Sequence, residues 1–387
     1  MLRRSASVCL ALVLLALAGC SPSPAPAPSG PAPTTPAPTS PAPTTPATPD
    51  PIAGMSLAEE VGALFVVGAP AAGDDSTARR LVRDRSVGGV FLSGRSTAGV
   101  AATARVVQRL RDAGGDRPLL VATDQEGGQV QVLSGPGFDT IPSALDQGAV
   151  DPAVLRGRAA GWGRQLRAAG VDVDLAPVAD VVRSADADNP PIAAFDREYG
   201  TSADAVAAHA GAVADGLRDA GVTPTFKHFP GLGYVDGNTD TTAGVTDAVT
   251  GADGPTAASF ARLAAAGPSL VMVSSAIYAR IDGSAPAVFS PTVVTGLLRQ
   301  QLAFDGLVIT DDISGATQLA AWSPADRAIL ALTAGCDLLL VSRTPAVADP
   351  MIDGVVARAG SDPAFRTVVD AAARRVLAGE AALRPDR

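Results

Sequence analysis

The sequence predicts an α/β fold, a (β/α)8 TIM-type barrel forming a single domain. Three observations lead there. Beyond residue 53 eight short, mainly apolar runs recur, most of them without alternation of apolar and polar residues, and stretches of helical periodicity lie between them. Apolar strands without alternation, joined by helices, belong to a parallel sheet covered on both faces. Eight such units favour a closed barrel over an open doubly wound sheet. No Gly-x-Gly-x-x-Gly follows the first run, which weighs against a dinucleotide-binding sheet.

The expected strands are, in order, 64–68, 87–92, 118–123, 171–176, 222–227, 270–274, 306–310 and 337–341. Each is five or six residues, and most are mainly Val, Leu, Ile, Ala and Phe, the length and composition of a buried strand. The intervening helical patterns include 101–113, 153–169, 203–220, 257–266, 291–302 and 325–334.

Ahead of the barrel, residues 1–19 read as a lipoprotein signal peptide. Arg3 and Arg4 form a basic start, residues 8–17 an apolar stretch too short to span a bilayer permanently, and small residues close it. The ending Leu17-Ala18-Gly19-Cys20 resembles a bacterial lipobox, with Cys20 as the lipidated residue. Residues 20–52, almost wholly Pro, Ala, Thr and Ser, cannot bury apolar surface and read as an extended, semi-stiff tether. The barrel domain is then 53–387. The expected location is extracytoplasmic, lipid-anchored to the outer face of the bacterial cell membrane, with membrane contact only through that anchor and a monomeric state.

Composition narrows the partners. Of 387 residues 47% are hydrophobic and 18% charged, so a sizeable core forms and global disorder is excluded. The net charge is −9, and losing the leader removes Arg3 and Arg4 but no acid, giving −11. So acidic a chain does not suit nucleic acid, whose phosphates need clustered Lys and Arg. Three cysteines, two histidines and no Cys-x-x-Cys argue against a disulfide framework or a zinc site, and Cys336 reads as a small buried hydrophobe. Among 30 basic residues only Lys227 is a lysine, and it adjoins His228, one of the two histidines.

A barrel of this kind puts its active site at the C-terminal ends of the strands. There the third run ends in Asp124-Gln125-Glu126-Gly127-Gly128, the loop after the fourth carries Asp180, Asn189 and Asp196-Arg197, and the fifth runs into Lys227-His228-Phe229-Pro230-Gly231. The sixth ends in Ser274-Ser275 and the seventh in Thr310-Asp311-Asp312. Carboxylates, a lysine and arginines at one mouth suit sugar chemistry, where acids grip hydroxyls and stabilise an oxocarbenium-like state.

These segments, taken with 57–68, 189–200 and 307–315, resemble family 3 glycoside hydrolases, specifically the single-domain β-N-acetylglucosaminidases of bacterial wall turnover. The resemblance spans about 55 to 383. It implies a retaining exo-glycosidase acting on a carbohydrate substrate, terminal β-N-acetylglucosamine of cell-wall fragments, without metal or organic cofactor. It also implies Asp311 as nucleophile, and Asp124, Arg197, Lys227 and His228 as sugar-binding residues. Asp312 is expected to orient its neighbour, and Glu126-Gly127-Gly128 to serve as a tight turn.

The chain departs from the family pattern twice. Relatives carry an arginine shortly after Asp-x-Glu-Gly-Gly, where this chain has Gln129-Val130-Gln131-Val132. The single-domain relatives also place an acid/base histidine in an Asp-Ser-His sequence after Lys-His-x-Pro-Gly-x-Gly. The corresponding positions here hold Asn238, Thr239 and Asp240. A carboxylic acid can perform that proton transfer if its surroundings raise its pKa. Asp240 is therefore the expected acid/base, with Asp236 in reserve, while His209 reads as a structural histidine.

Overall fold

The computed structural model describes residues 50–184 and 188–383, with isolated positions at 23, 25 and 30. The expected signal peptide, Cys20 and nearly all of the tether lie outside the described residues. Those from 50 onward fall within one compact unit, Pro49–Arg387.

All eight expected strands form: β1 (Phe65–Pro70), β2 (Gly89–Ser93), β3 (Leu120–Thr123), β4 (Val173–Asp174), β5 (Thr223–Phe229), β6 (Leu270–Val273), β7 (Leu307–Thr310) and β8 (Leu339–Val341). Consecutive strands pair in parallel from β1 to β7, and β8 pairs with β1. The ring closes where Ile309 bridges Leu338, with the Thr310 N–H donating to the Leu338 carbonyl at 3.0 Å. Strand β4 is the shortest, ending at Asp174, and pairing resumes at Val178 with Lys227. Where β1 and β8 close on each other the backbones come very near. A Cβ at Gly68 would strike the Ser342 carbonyl, so only glycine fits there.

A helix follows each strand: α1 (Ser76–Arg85), α2 (Val100–Gly114), α3 (Pro152–Ala168), α4 (Ala203–Asp219), α5 (Pro255–Ala264), α6 (Thr292–Gln301, wound as a π-helix), α7 (Pro324–Ala334) and α8 (Ala348–Ser361). Side chains of Asp151, Ser202 and Ser323 cap α3, α4 and α7, satisfying N–H groups that a helix start leaves open. Leu57–Gly62 precedes β1, and Pro363–Leu383 closes the described chain. Among the described residues no helix is long and apolar enough to cross a membrane.

Two buried aspartates tie strands together at the N-terminal rim, where TIM-type barrels keep stability rather than chemistry. Asp172, just before β4, accepts the Val121 N–H of β3 at 3.0 Å and pairs with Arg111 at 3.0 Å. Asp337, before β8, accepts the Val308 N–H of β7 at 2.8 Å and pairs with Arg375 at 2.6 Å and with Arg299. Packing begins slightly ahead of the expected boundary at 53. Ile52 is buried, and Asp50 pairs with Arg374 at 3.0 Å.

Candidate active site

At the C-terminal mouth of the barrel lies a polar cavity of about 200 Å3. It brings together all six residues expected to do chemistry: Asp124, Arg197, Lys227, His228, Asp240 and Asp311. Asp236 is exposed and does not line it. His209 sits on α4 with both ring nitrogens against backbone carbonyls, Ala205 at 2.8 Å and Val150 at 3.0 Å. Ser274 is also turned away, holding the Tyr278 hydroxyl at 3.1 Å.

One wall of the cavity is a charged cluster on β3, β5 and the loop after β4. Lys227 reaches from β5 to Asp124 at 2.7 Å and to Glu126 at 2.6 Å. Arg197 grips both oxygens of Glu126 at 2.8 Å, a two-pronged pair that fixes the guanidinium plane. The expectation that Glu126 belongs only to a tight turn is corrected here. Gly127 and Gly128 make the turn at positive φ, while the Glu126 side chain is buried and anchors both cations. Burial alone would raise the Glu126 pKa, but Arg197 and then Lys227 hold it well below the carboxylate range. Burial would likewise lower Lys227, yet Asp124 and Glu126 outweigh it and keep the ammonium charged.

Two cations and two carboxylates balance, so a third acid nearby is in excess. Asp174, at the end of β4, is that acid. Burial, reinforced by Asp124 and Glu126, pushes its pKa up to about 8, although it accepts the Gln125 N–H at 3.0 Å. It therefore sits protonated at neutral pH.

His228 is fixed from behind. Asp180 receives its Nδ1 at 2.8 Å and its backbone N–H at 3.2 Å, and also the Leu232 N–H at 2.8 Å. Arg197 approaches the other His228 ring nitrogen, Nε2, at 3.4 Å. Asn189 pins the Arg197 loop to the β5 loop through the Leu232 and Val235 carbonyls, at 2.8 and 3.0 Å.

Asp311 and Asp312 follow β7 directly and divide their work. The Asp312 carboxylate is consumed by its surroundings: Ser342 N–H at 2.7 Å, Ser314 hydroxyl at 2.6 Å and Gly315 N–H at 2.9 Å. It locks the β7 and β8 loops together. Asp311 accepts the Asp312 N–H at 2.8 Å and otherwise faces the cavity. That leaves one oxygen of a firmly held carboxylate available for attack.

Asp240 arrives from the loop after β5, and that loop is tied down. Its carbonyl accepts the Thr317 N–H at 3.2 Å and hydroxyl at 2.9 Å, and the Thr239 carbonyl accepts the Gln318 N–H at 3.0 Å. The Gln318 side chain then clips both backbone groups of Val245, at 2.9 and 3.1 Å. The acid loop is thus docked on the turn that follows Asp311. The residue keeps contact with solvent at the rim, while its carboxyl leans over the cavity. Withdrawal from water, then repulsion by Asp311 and Asp312, push its pKa up to about 6, with His228 and Arg343 pulling the other way. Among the described residues no cluster of His, Cys, Asp or Glu has the makings of a metal site.

Asp174, Gln318 and Arg343 belong to the site without having been expected there, and Glu126 had been expected only in a turn. Arg343 alone had a readable signal, since it stands two residues past the eighth apolar run, at a strand end.

A closed (β/α)8 barrel that brings a free carboxylate and a second carboxylate of raised pKa to one small polar cavity is built as a glycoside hydrolase. The chain belongs to glycosyl hydrolase family 3: residues 56–378 match the N-terminal domain of that family. A crystal structure of a β-N-acetylhexosaminidase from Beutenbergia cavernae superposes with TM-score 0.83 at 55% identity, covering 84% of this chain and 98% of that one. A β-hexosaminidase of Methylococcus capsulatus is 34% identical over 256 residues, 64% of this chain and 74% of its own length. The β-hexosaminidase LpqI of Mycobacterium tuberculosis is 35% identical over 258 residues, of which the match spans 65% of its length.

Proposed function

We propose that this protein is a retaining, exo-acting β-N-acetylhexosaminidase that removes terminal β-N-acetylglucosamine from cell-wall fragments. The observation that carries the reading is the placement of Asp311 and Asp240 on one cavity, opposite the Asp124–Lys227–Glu126–Arg197 cluster. The cavity is smaller than the roughly 300–1,000 Å3 common for drug-sized ligands and suits one sugar residue.

In the first step the free Asp311 oxygen attacks the anomeric carbon. The bond to the leaving oxygen breaks as Asp240 gives it a proton, and a glycosyl ester of Asp311 forms. Asp240, now a carboxylate, takes a proton from water, which attacks the same carbon and frees Asp311. Asp124 accepts hydrogen bonds from sugar hydroxyls while Lys227 and Arg197 fix its surroundings. The roles are separate, with Asp311 forming the bond, Asp240 carrying the proton and the cluster orienting the ring.

The expected N-terminal signal, lipidation at Cys20 and the Pro-rich tether extend this proposal to a barrel held at the outer face of the cell membrane, near its polymeric substrate. The test compares an aryl β-N-acetylglucosaminide with an aryl β-glucoside, using the protein and its Asp311→Ala variant. Turnover of the first, abolished by the substitution, supports the reading. Preference for the glucoside would assign the chain to another substrate of the same family, and silence on both would overturn hydrolysis.

A further inference from the structure

The segment Gln129-Val130-Gln131-Val132, where the chain departs from the family pattern, forms one wall of a second hollow at the mouth of the barrel. This hollow has a volume of about 360 Å3 and adjoins the sugar cavity, sharing Asp124 and Phe91 with it. Its lining is mostly apolar and includes Val130, Val132 and Phe195. Among the described residues four large apolar side chains are exposed, and Phe195 is the aromatic one. A bare ring at the edge of a cavity marks a place where a ligand gains by displacing water.

The apolar wall is set by the backbone. Successive residues of an extended segment face opposite ways, so Val130 and Val132 share one side while Gln131 turns to the other. There the Gln131 amide donates to the Leu133 and Asp139 carbonyls at 2.9 and 2.8 Å and accepts the Ile141 N–H at 3.0 Å. The Val132 N–H donates to the Asp124 carbonyl at 3.1 Å, which fixes the valines against the residue that both cavities share. Two charged groups border the hollow, and each is engaged. Arg95, on the loop after β2, donates to the Gln129 and Gln131 carbonyls at 2.6 and 3.2 Å, and Asp124 holds Lys227 at 2.7 Å.

What reaches the hollow follows from the reaction. Asp311 and Asp240 act at C1, and Asp124 lies across the cavity from them, so it meets the far edge of the pyranose, C4 and the exocyclic C6. The acetamido group on C2 stays beside C1. A substituent on the outer hydroxyls therefore passes Asp124 and enters the space between Val130, Val132 and Phe195.

We propose that this hollow is a subsite for a short acyl ester on the outer hydroxyls of the terminal sugar, chiefly at C6. The proposal rests on the reading of the site as a hexosaminidase and adds a feature of the sugar it takes. An acyl chain is neutral and apolar, and each methylene buried among valine and phenylalanine side chains is rewarded. An anionic substituent would instead meet Asp124.

The test uses three aryl β-N-acetylglucosaminides: unsubstituted, 6-O-acetyl and 6-O-butanoyl. The quantity read is the kcat/KM ratio of butanoyl to acetyl ester, in which the ester group and the chemistry at C1 are common. Burial of two further methylenes predicts a ratio of about ten in the unaltered protein. Val130→Asp and Phe195→Ala should each bring it toward unity, with little change in turnover of the unsubstituted substrate. A ratio at or below unity in the unaltered protein overturns the proposal whether or not a variant folds, and so does a ratio that survives both substitutions. Release of an intact disaccharide from an aryl β-chitobioside, with the acyl ratio at unity, would give the hollow to a second sugar and overturns it as well. In each of these outcomes the unsubstituted substrate is still cleaved. Failure to cleave any of the three overturns the hexosaminidase reading itself.

Discussion

The backbone carbonyl of Asp240 is held by the N–H and hydroxyl of Thr317, six residues beyond Asp311. The proton donor and the nucleophile, 71 positions apart in the chain, are thereby mounted on one turn. Their separation is set by hydrogen bonds of the backbone rather than by closure of a free loop.

The Asp240 carboxyl, with its pKa raised to about 6, keeps its proton below that pH and loses it above. For substrates with poor leaving groups, kcat/KM should therefore decline as pH rises through about 6. Asp240→Asn should cost such substrates roughly 10²–10⁴-fold, the usual range for a general acid, and activated aryl substrates far less. Equal losses for both would remove Asp240 from that role.

Gln318 acts through the loop it clips, without touching the cavity. Gln318→Leu should lower kcat on poor leaving groups with little change in KM, since the sugar cluster is untouched. Because Asp240 would lean less steadily over the cavity, its pH limb should also move down toward an ordinary carboxylate. A matching rise in KM, with the limb unmoved, would show a merely structural effect.

Removing Glu126 leaves Arg197 and Lys227 without their shared buried partner. Glu126→Ala should destabilise the fold by about 3–5 kcal/mol, the scale for one broken side of a buried ion pair, and raise KM. Glu126→Gln, which keeps the shape and one acceptor, should lose less. Denaturant unfolding beside steady-state kinetics checks both.

Asp174 binds a proton in the folded protein that the unfolded chain has already released at neutral pH. Its contribution to stability is therefore best below the ordinary carboxylate range and declines as pH rises toward about 8. Asp174→Asn removes that decline while keeping an acceptor for the Gln125 N–H. Its Tm, measured against the unaltered protein, should gain more at pH 8 than at pH 5. Equal differences at the two values would contradict a protonated Asp174.

Much of the architecture was legible along the chain. Most of the strands appear because they are buried on both faces and so written as apolar runs; β4 and β5, which carry Asp174, Lys227 and His228, are interrupted by the groups that serve the site. Six of the eight barrel helices are named in advance; α1, which buries Ala78, Leu81 and Val82 among its charges, and α8 are not. Asp124, Lys227, His228 and Asp311 stand at strand ends, which converge in a closed barrel, while Arg197 and Asp240 sit in longer loops and were legible only through the resemblance to the family.

Glu126 shows where that legibility stops. Beside two glycines its local pattern is that of a turn, and nothing nearby reveals that Arg197 and Lys227, 71 and 101 positions later, meet on its two oxygens. Gln318 and Thr317 are likewise ordinary until the β5 loop lies across them. The sequence by itself determined the fold and the chemical groups available, because periodicity and residue type are local properties. Only the tertiary structure decided which carboxyl keeps a proton and which loop carries the acid. Those depend on burial and on fields between groups far apart in the chain, and such quantities exist only once the barrel has closed.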